Sequence, residues 1–130
     1  MVYLAALAAA AVSFVIGSIW YGPLFGNLWV KEKFGPAGMQ KPSRNKIIAL
    51  MASTFLLSFI IALGFAAIPQ MGTIFGSAIL GGLLWLFFVM PVLITQAMYG
   101  GATLKLVLID LAYWLIVFKI SAMVVAWVLA

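Results

Sequence analysis

Three runs of 20 residues or more, at 2–21, 47–68 and 73–98, contain no charged side chain, and a fourth, at 104–130, contains three. About 20 consecutive apolar residues make a helix that crosses the hydrocarbon core of a bilayer, where every backbone polar group must be satisfied inside the segment. The whole chain has 130 residues, of which 68% are hydrophobic and 7% charged. Soluble domains average about 45–50% apolar and about 25% charged residues. A chain this apolar cannot cover itself with polar surface. The expected fold class is all-α, a polytopic membrane protein with one four-helix transmembrane domain over 1–130 and spans at about 2–21, 47–68, 73–98 and 104–130. No Lys or Arg precedes Lys31, so the first run lacks the basic start of a secretory signal and reads as an uncleaved first helix.

Charge sets the orientation. Lys31, Lys33, Lys41, Arg44 and Lys46 fall in the one long polar loop, 31–46, against a single acid, Glu32. Basic loops stay on the cytoplasmic side. Loop 31–46 is therefore expected in the cytoplasm and both termini outside. Lys105 adds a second positive charge on the same side. The net charge of +5 is a topology signal in this setting, and no nucleic acid is expected as a partner. The loop holds the turn formers Gly35, Pro36, Gly38 and Pro42, and Ser43 is placed to cap the second span.

The first span cannot run straight into that loop. A helix from Val2 to Val30 would be about 43 Å long, against a hydrocarbon core of about 30 Å. Pro23 beside Gly22 is the expected bend. Beyond it, Leu24, Phe25, Leu28 and Trp29 share one helix face while Asn27 and Lys31 lie elsewhere, which predicts a short interfacial helix at 24–34. Small residues recur along the first span at Ala5, Ala9, Ser13 and Gly17, a spacing that lets a neighbouring helix approach closely. The third span carries Gly72 and Gly76 at GxxxG spacing, then Gly81 and Gly82. Pro91 should kink it and free the carbonyl near Phe87. The turn at 69–72 is short, which predicts that spans two and three pack as antiparallel neighbours.

Ionisable groups inside a span are costly and each needs an account. Asp110 lies about 7–8 Å into the fourth span. It reads either as an anchor, paired with Lys46, Arg44 or Lys31 or bonded to Tyr113 or Tyr99, or as the charge of a polar pocket that carries a proton or cation. Lys119 lies deeper, and its long stem suits snorkelling to the outer interface. Asp110 and Lys119 are nine residues apart, on opposite sides of the helix. By depth, Asn27, Thr95, Gln96, Tyr99, Asp110 and Tyr113 form the candidate lining of one polar cavity in the inner half.

The residues that are missing narrow the chemistry. There is no Cys and no His, which removes thiol nucleophiles, disulfides, haem ligands and the commonest zinc ligand and general base. No nucleophile–base pair is present for a membrane enzyme acting on lipid. No catalytic residue, cofactor or metal is expected.

The strings GSIWYGPLFGNLWVKE at 17–32 and LKLVLIDLAYWLIV at 104–117, with the glycine-rich third span between them, resemble the DUF1761 family, small bacterial membrane proteins with no assigned activity. The most specific part is the aromatic-Gly-Pro segment from Trp20 to Gly26, with Trp29. The resemblance implies a four-span protein of the bacterial inner membrane and supplies no catalytic residues. The expected function is a non-enzymatic helical bundle that homo-oligomerises in the lipid bilayer through its small-residue faces. The alternative is a small-solute or ion transporter or channel with a polar inner cavity near Asp110 and Gln96, since broken helices often line solute sites.

Overall fold

The computed structural model describes residues 1–34, 43–68 and 73–130. These form α1 (Val2–Ile19), a π-helical turn (Trp20–Leu24), α2 (Gly26–Phe34), α3 (Arg44–Ala67), α4 (Ile74–Leu84), a second π-helical turn (Trp85–Val89), α5 (Met90–Gly100) and α6 (Leu104–Leu129). Among the described residues there is no strand. Four continuous helical segments are long and apolar enough to cross a membrane: Val2–Leu24, Arg44–Ala67, Ile74–Gly100 and Leu104–Leu129. The chain is all-α and polytopic. The turn formers Gly35, Pro36, Gly38 and Pro42, the basic Lys41, the turn at 69–72 and the Gly72 half of the GxxxG pair lie outside the described residues.

The helix starts follow local chemistry. Ser43, Thr73 and Thr103 each have extended backbone and accept a hydrogen bond from the N–H three residues on, at Lys46, Gly76 and Leu106. Each cap satisfies one of the donors that a helix start leaves open. Gly101 ends α5 in the left-handed conformation at φ 69°, which a glycine adopts without strain.

α6 is the central element. It packs against α1, α3 and α4, and α1 packs against α3. The row Ala5, Ala9 and Ser13 is fully buried, and Gly17 lies against the Tyr113 ring, so the small-residue face of the first span is its packing face. Phe14 meets Phe55 edge to face at 6.2 Å, and Phe65 meets Phe118 at 5.6 Å. Ser13, Ser58 and Ser121 are fully buried, and their hydroxyls have no hydrogen-bond partner among the described residues. Thr54 instead bonds back to the Leu50 carbonyl at 2.9 Å.

The third span departs from the expected neighbour. α4 packs along α6 and has no substantial contact with α3, although the connecting turn is short. The cause is Gly81: a β-carbon there would stand 2.7 Å from the Phe118 carbonyl oxygen. Backbone meets backbone at this point, and only glycine permits it. The third span thus leans on one helix.

Both proline bends take the form of π-turns. In the first span, the Phe25 N–H reaches the Trp20 carbonyl at 2.9 Å, one residue wider than an α-helical bond. In the third, the Met90 N–H bonds to the Trp85 carbonyl just before Pro91. A widened turn absorbs the residue whose N–H is missing, and such turns frequently sit at functional sites.

Candidate functional site

The first π-turn and α2 fold back onto α6 at one point. The Trp20 indole N–H donates to the Ile109 carbonyl at 3.1 Å. The Tyr21 hydroxyl donates to Asp110 Oδ1 at 2.6 Å, and the Trp29 indole N–H donates to the same oxygen at 3.2 Å. Hydrogen bonds to an ionised carboxylate are shorter and about twice as strong as neutral ones. Two donors, Tyr21 and Trp29, therefore hold the carboxylate, while Trp20 ties down the backbone carbonyl before it. The rings also pack on one another: Tyr21 lies 5.9 Å from Trp29 and 5.0 Å from Tyr113, and Tyr113 lies 5.2 Å from Trp114.

Gly26 makes this fold-back possible. A β-carbon at Gly26 would come within 2.5 Å of the Tyr21 carbonyl oxygen, whereas one at Gly22 would meet nothing within 4 Å. Gly26→Ala is expected to open the junction between the π-turn and α2, withdraw Trp29 from Asp110 and cost about 2 kcal/mol. Gly22→Ala is expected to stay within about 0.5 kcal/mol of the parent. Thermal unfolding in detergent with tryptophan emission as the probe reads both, and equal effects would contradict the assignment.

On its far side Asp110 lines a crevice of about 370 Å³ between α2, α5 and α6. Glu32 and Lys33 come from α2, Leu93 and Gln96 from α5, and residues 100–102 close the end. Two carboxylates face one ammonium, and the Lys33 ammonium stands 4.9 Å from the centre of the Trp29 ring, an attractive placement for a cation. The crevice owes its shape to the second π-turn and Pro91. Before the break α4 packs closely along α6; after it α5 touches α6 only lightly.

Of the polar residues that share this depth in the sequence, Gln96 and Asp110 both line this crevice. Tyr113 is 3% exposed and lies on the other side of Asp110, facing α1. Asn27 is exposed on α2. Thr95 is exposed and its hydroxyl bonds back to the Pro91 carbonyl at 2.8 Å, while Tyr99 is 91% exposed. Thr95 and Tyr99 sit together on the outward face of α5. The donors on Asp110 are Tyr21 and Trp29, among the described residues, in place of the Lys46, Arg44, Lys31, Tyr113 or Tyr99 that depth alone suggested. Lys119 is half-buried, and its stem lies over Gly82. Glu32, Lys33, Tyr21 and Trp29 are the site residues that sequence reasoning left out. Their signal was present in the aromatic-Gly-Pro segment, whose fold-back brings them to the fourth span.

A family profile described as "Protein of unknown function (DUF1761)" matches residues 4–126. No curated protein matches the chain, and no solved structure does.

Proposed function

We propose, from the premise that this chain belongs to the DUF1761 family, that it is a non-enzymatic membrane carrier for a small solute bearing a positive charge. The observation that carries the reading is the crevice that unites Asp110, Glu32 and Gln96 from three separate helices beside a proline-broken span. Irregular helices at membrane depth are tolerated where they line a cavity. An ionisable residue in a span points to a functional site by default, and solute pathways are one of its common uses. The two strings that resemble the family, 17–32 and 104–117, are the two that meet at Asp110.

In this reading the protein sits in the bacterial inner membrane. Loop 31–46 is cytoplasmic, both termini are outside, and the crevice opens to the cytoplasm. The support is the gathering of Lys31, Lys33, Arg44, Lys46 and Lys105 at the end where α3 and α6 begin.

The test is flux into proteoliposomes, with a panel of alkali cations and small organic amines. Saturable uptake of at least one, lost in Asp110→Asn and retained in Lys105→Gln, is expected. Absence of saturable uptake across the panel would overturn the carrier reading.

A homo-oligomeric bundle is the second reading, and a separate observation favours it. Among the described residues, α6 is the one helix outside the third span that packs substantially against it. The third span's outward face exposes Thr95 and Tyr99 together with Phe87, Phe88 and Met98. Polar groups on a lipid-facing helix are commonly covered by a partner helix. A second copy on this face would also wall the crevice. Cross-linking through Tyr99→Cys in membranes tests it: a disulfide dimer is expected, and a monomer under the same oxidation counts against it.

A further inference from the structure

A second cleft, of about 280 Å³, opens on the flank of the bundle between α1, α3 and α6. It lies on the opposite side of the Tyr21–Asp110 hydrogen bond from the polar crevice, and its wall is of a different kind. Phe14, Tyr21, Leu50, Met51, Tyr113 and Trp114 supply most of it. Four lining residues carry hydroxyls, and three of these are committed: Ser18 bonds to the Phe14 carbonyl and Thr54 to the Leu50 carbonyl, each at 2.9 Å, and Tyr21 to Asp110, while that of Tyr113 lies against Gly17. The cleft therefore presents mainly hydrocarbon and aromatic surface. Its rim residues Ser18, Leu50, Met51 and Thr54 are exposed, so it is entered sideways, from the region that lipid chains occupy.

Its end has a charge. On α3, Lys46 stands one turn before Leu50, and Arg44 stands two turns before Met51 and nearly in line with it. Both basic side chains are exposed. Neither lines the cleft itself; both stand in the first turn of α3, beyond the cleft's α3 wall. Neither acid of the chain lines the cleft: Glu32 and Asp110 both line the polar crevice. An apolar slot with two cations beyond its end and neither acid in its lining is complementary to a lipid with a negatively charged headgroup. A zwitterionic lipid would fill the slot equally well but forgo the charge.

We infer that this cleft is a specific site for one anionic glycerophospholipid, with an acyl chain against Phe14, Met51 and Tyr113 and the headgroup at the start of α3, where Arg44 and Lys46 approach it from either side of the helix. The site does not depend on the carrier reading, since none of these residues belongs to the crevice. It does use the same aromatic wall: Tyr21 lines the cleft with its ring and holds Asp110 with its hydroxyl. Occupancy of the cleft therefore braces the carboxylate from behind.

The experiment is native mass spectrometry of the full chain from detergent micelles, with equal amounts of phosphatidylglycerol and phosphatidylcholine of identical chains. The parent is expected to retain one phosphatidylglycerol in preference. Arg44→Gln with Lys46→Gln is expected to lower that preference by about tenfold, the scale of two basic contacts at a membrane surface. Lys105→Gln, a cation at the same end but on α6, is expected to leave it unchanged. Thr54→Phe, which puts a ring into the slot from an exposed position, is expected to reduce retention of both lipids, and Ser18→Phe should do the same from the α1 wall. Equal retention of the two lipids by the parent would overturn the inference. So would equal losses in the Lys105 and Arg44/Lys46 variants, or full retention in both slot-filling variants.

Discussion

Gly81→Ala is expected to prise the third span from α6, whereas Gly82→Ala, one residue on, is expected to leave it in place. The two positions share a helix, a depth and a chemistry, and differ in what a methyl group meets. At Gly81 the nearest atoms are backbone: the Phe118 carbonyl oxygen at 2.7 Å, its carbon at 3.0 Å and the Lys119 α-carbon at 3.2 Å. None can move without moving α6. At Gly82 the neighbours are the Lys119 ε-carbon at 3.2 Å and its amine at 3.5 Å, the far end of a flexible chain that swings aside. Overpacking against backbone falls near the top of the usual range, about 3 kcal/mol. Alanine recovers about 1 kcal/mol over glycine in helix propensity, which leaves Gly81→Ala worse by about 2 kcal/mol. Gly82→Ala keeps the propensity gain and should be neutral or slightly stabilising. Thermal unfolding in a single detergent decides it, and equal melting temperatures would mean that the close approach does not hold the span.

Asp110 is the second position of large effect, because its charge and its acceptor role separate by substitution. Asp110→Asn retains an oxygen where Tyr21 and Trp29 donate. The bonds become neutral and weaker, but no donor is orphaned, so the fold should hold with a modest drop in melting temperature. Asp110→Leu removes the acceptor. Each stranded buried donor costs about 1–3 kcal/mol, and this site is half-open, so the total should be about 2 kcal/mol. Solute flux should vanish in both variants. A clear loss of stability in Asp110→Leu with little in Asp110→Asn, together with loss of flux in both, is the pattern expected of a functional charge on a structural scaffold. Flux that survives in Asp110→Asn would reduce Asp110 to an anchor.

Much of the architecture was legible in the sequence because the bilayer constrains it so strongly. Charge-free runs at 2–21, 47–68 and 73–98 leave helices as their only membrane-compatible form. Pro23 and Pro91 announced both breaks, since a residue without an N–H forces the helix to adjust locally. The form of the adjustment was not legible: a widened π-turn and a simple kink follow from the same proline. Partner choice was not legible either. The short turn at 69–72 suggested α3 for α4, yet one backbone approach at Gly81 decides for α6, and GxxxG spacing does not say which helix it faces.

The candidate site was half legible. Asp110 and Gln96 stand out as polar groups at one depth, and both line the crevice. Depth carries no information about direction: Tyr99, Thr95 and Asn27 share that depth but lie outside the crevice lining. Trp29 was assigned to the membrane surface from its place on an amphipathic face. In the fold Leu24 and Leu28 keep outward exposure while Trp29 turns its N–H inward to Asp110. An indole on such a face has two uses, and a hidden carboxylate selects the inward one.

The space beside Asp110 should hold water and solute from one side of the membrane. The chain has no cysteine, so single-cysteine variants report without background. Gln96→Cys in oriented vesicles should react with a membrane-impermeant cationic thiol reagent added on the side of loop 31–46, and faster than with an anionic reagent of similar size. It should not react from the other side. Phe88→Cys, on the exposed apolar face of the same span, should react from neither. A Gln96→Cys variant as inert as Phe88→Cys from both sides would mean that the crevice is closed to water, and the carrier reading would fall with it.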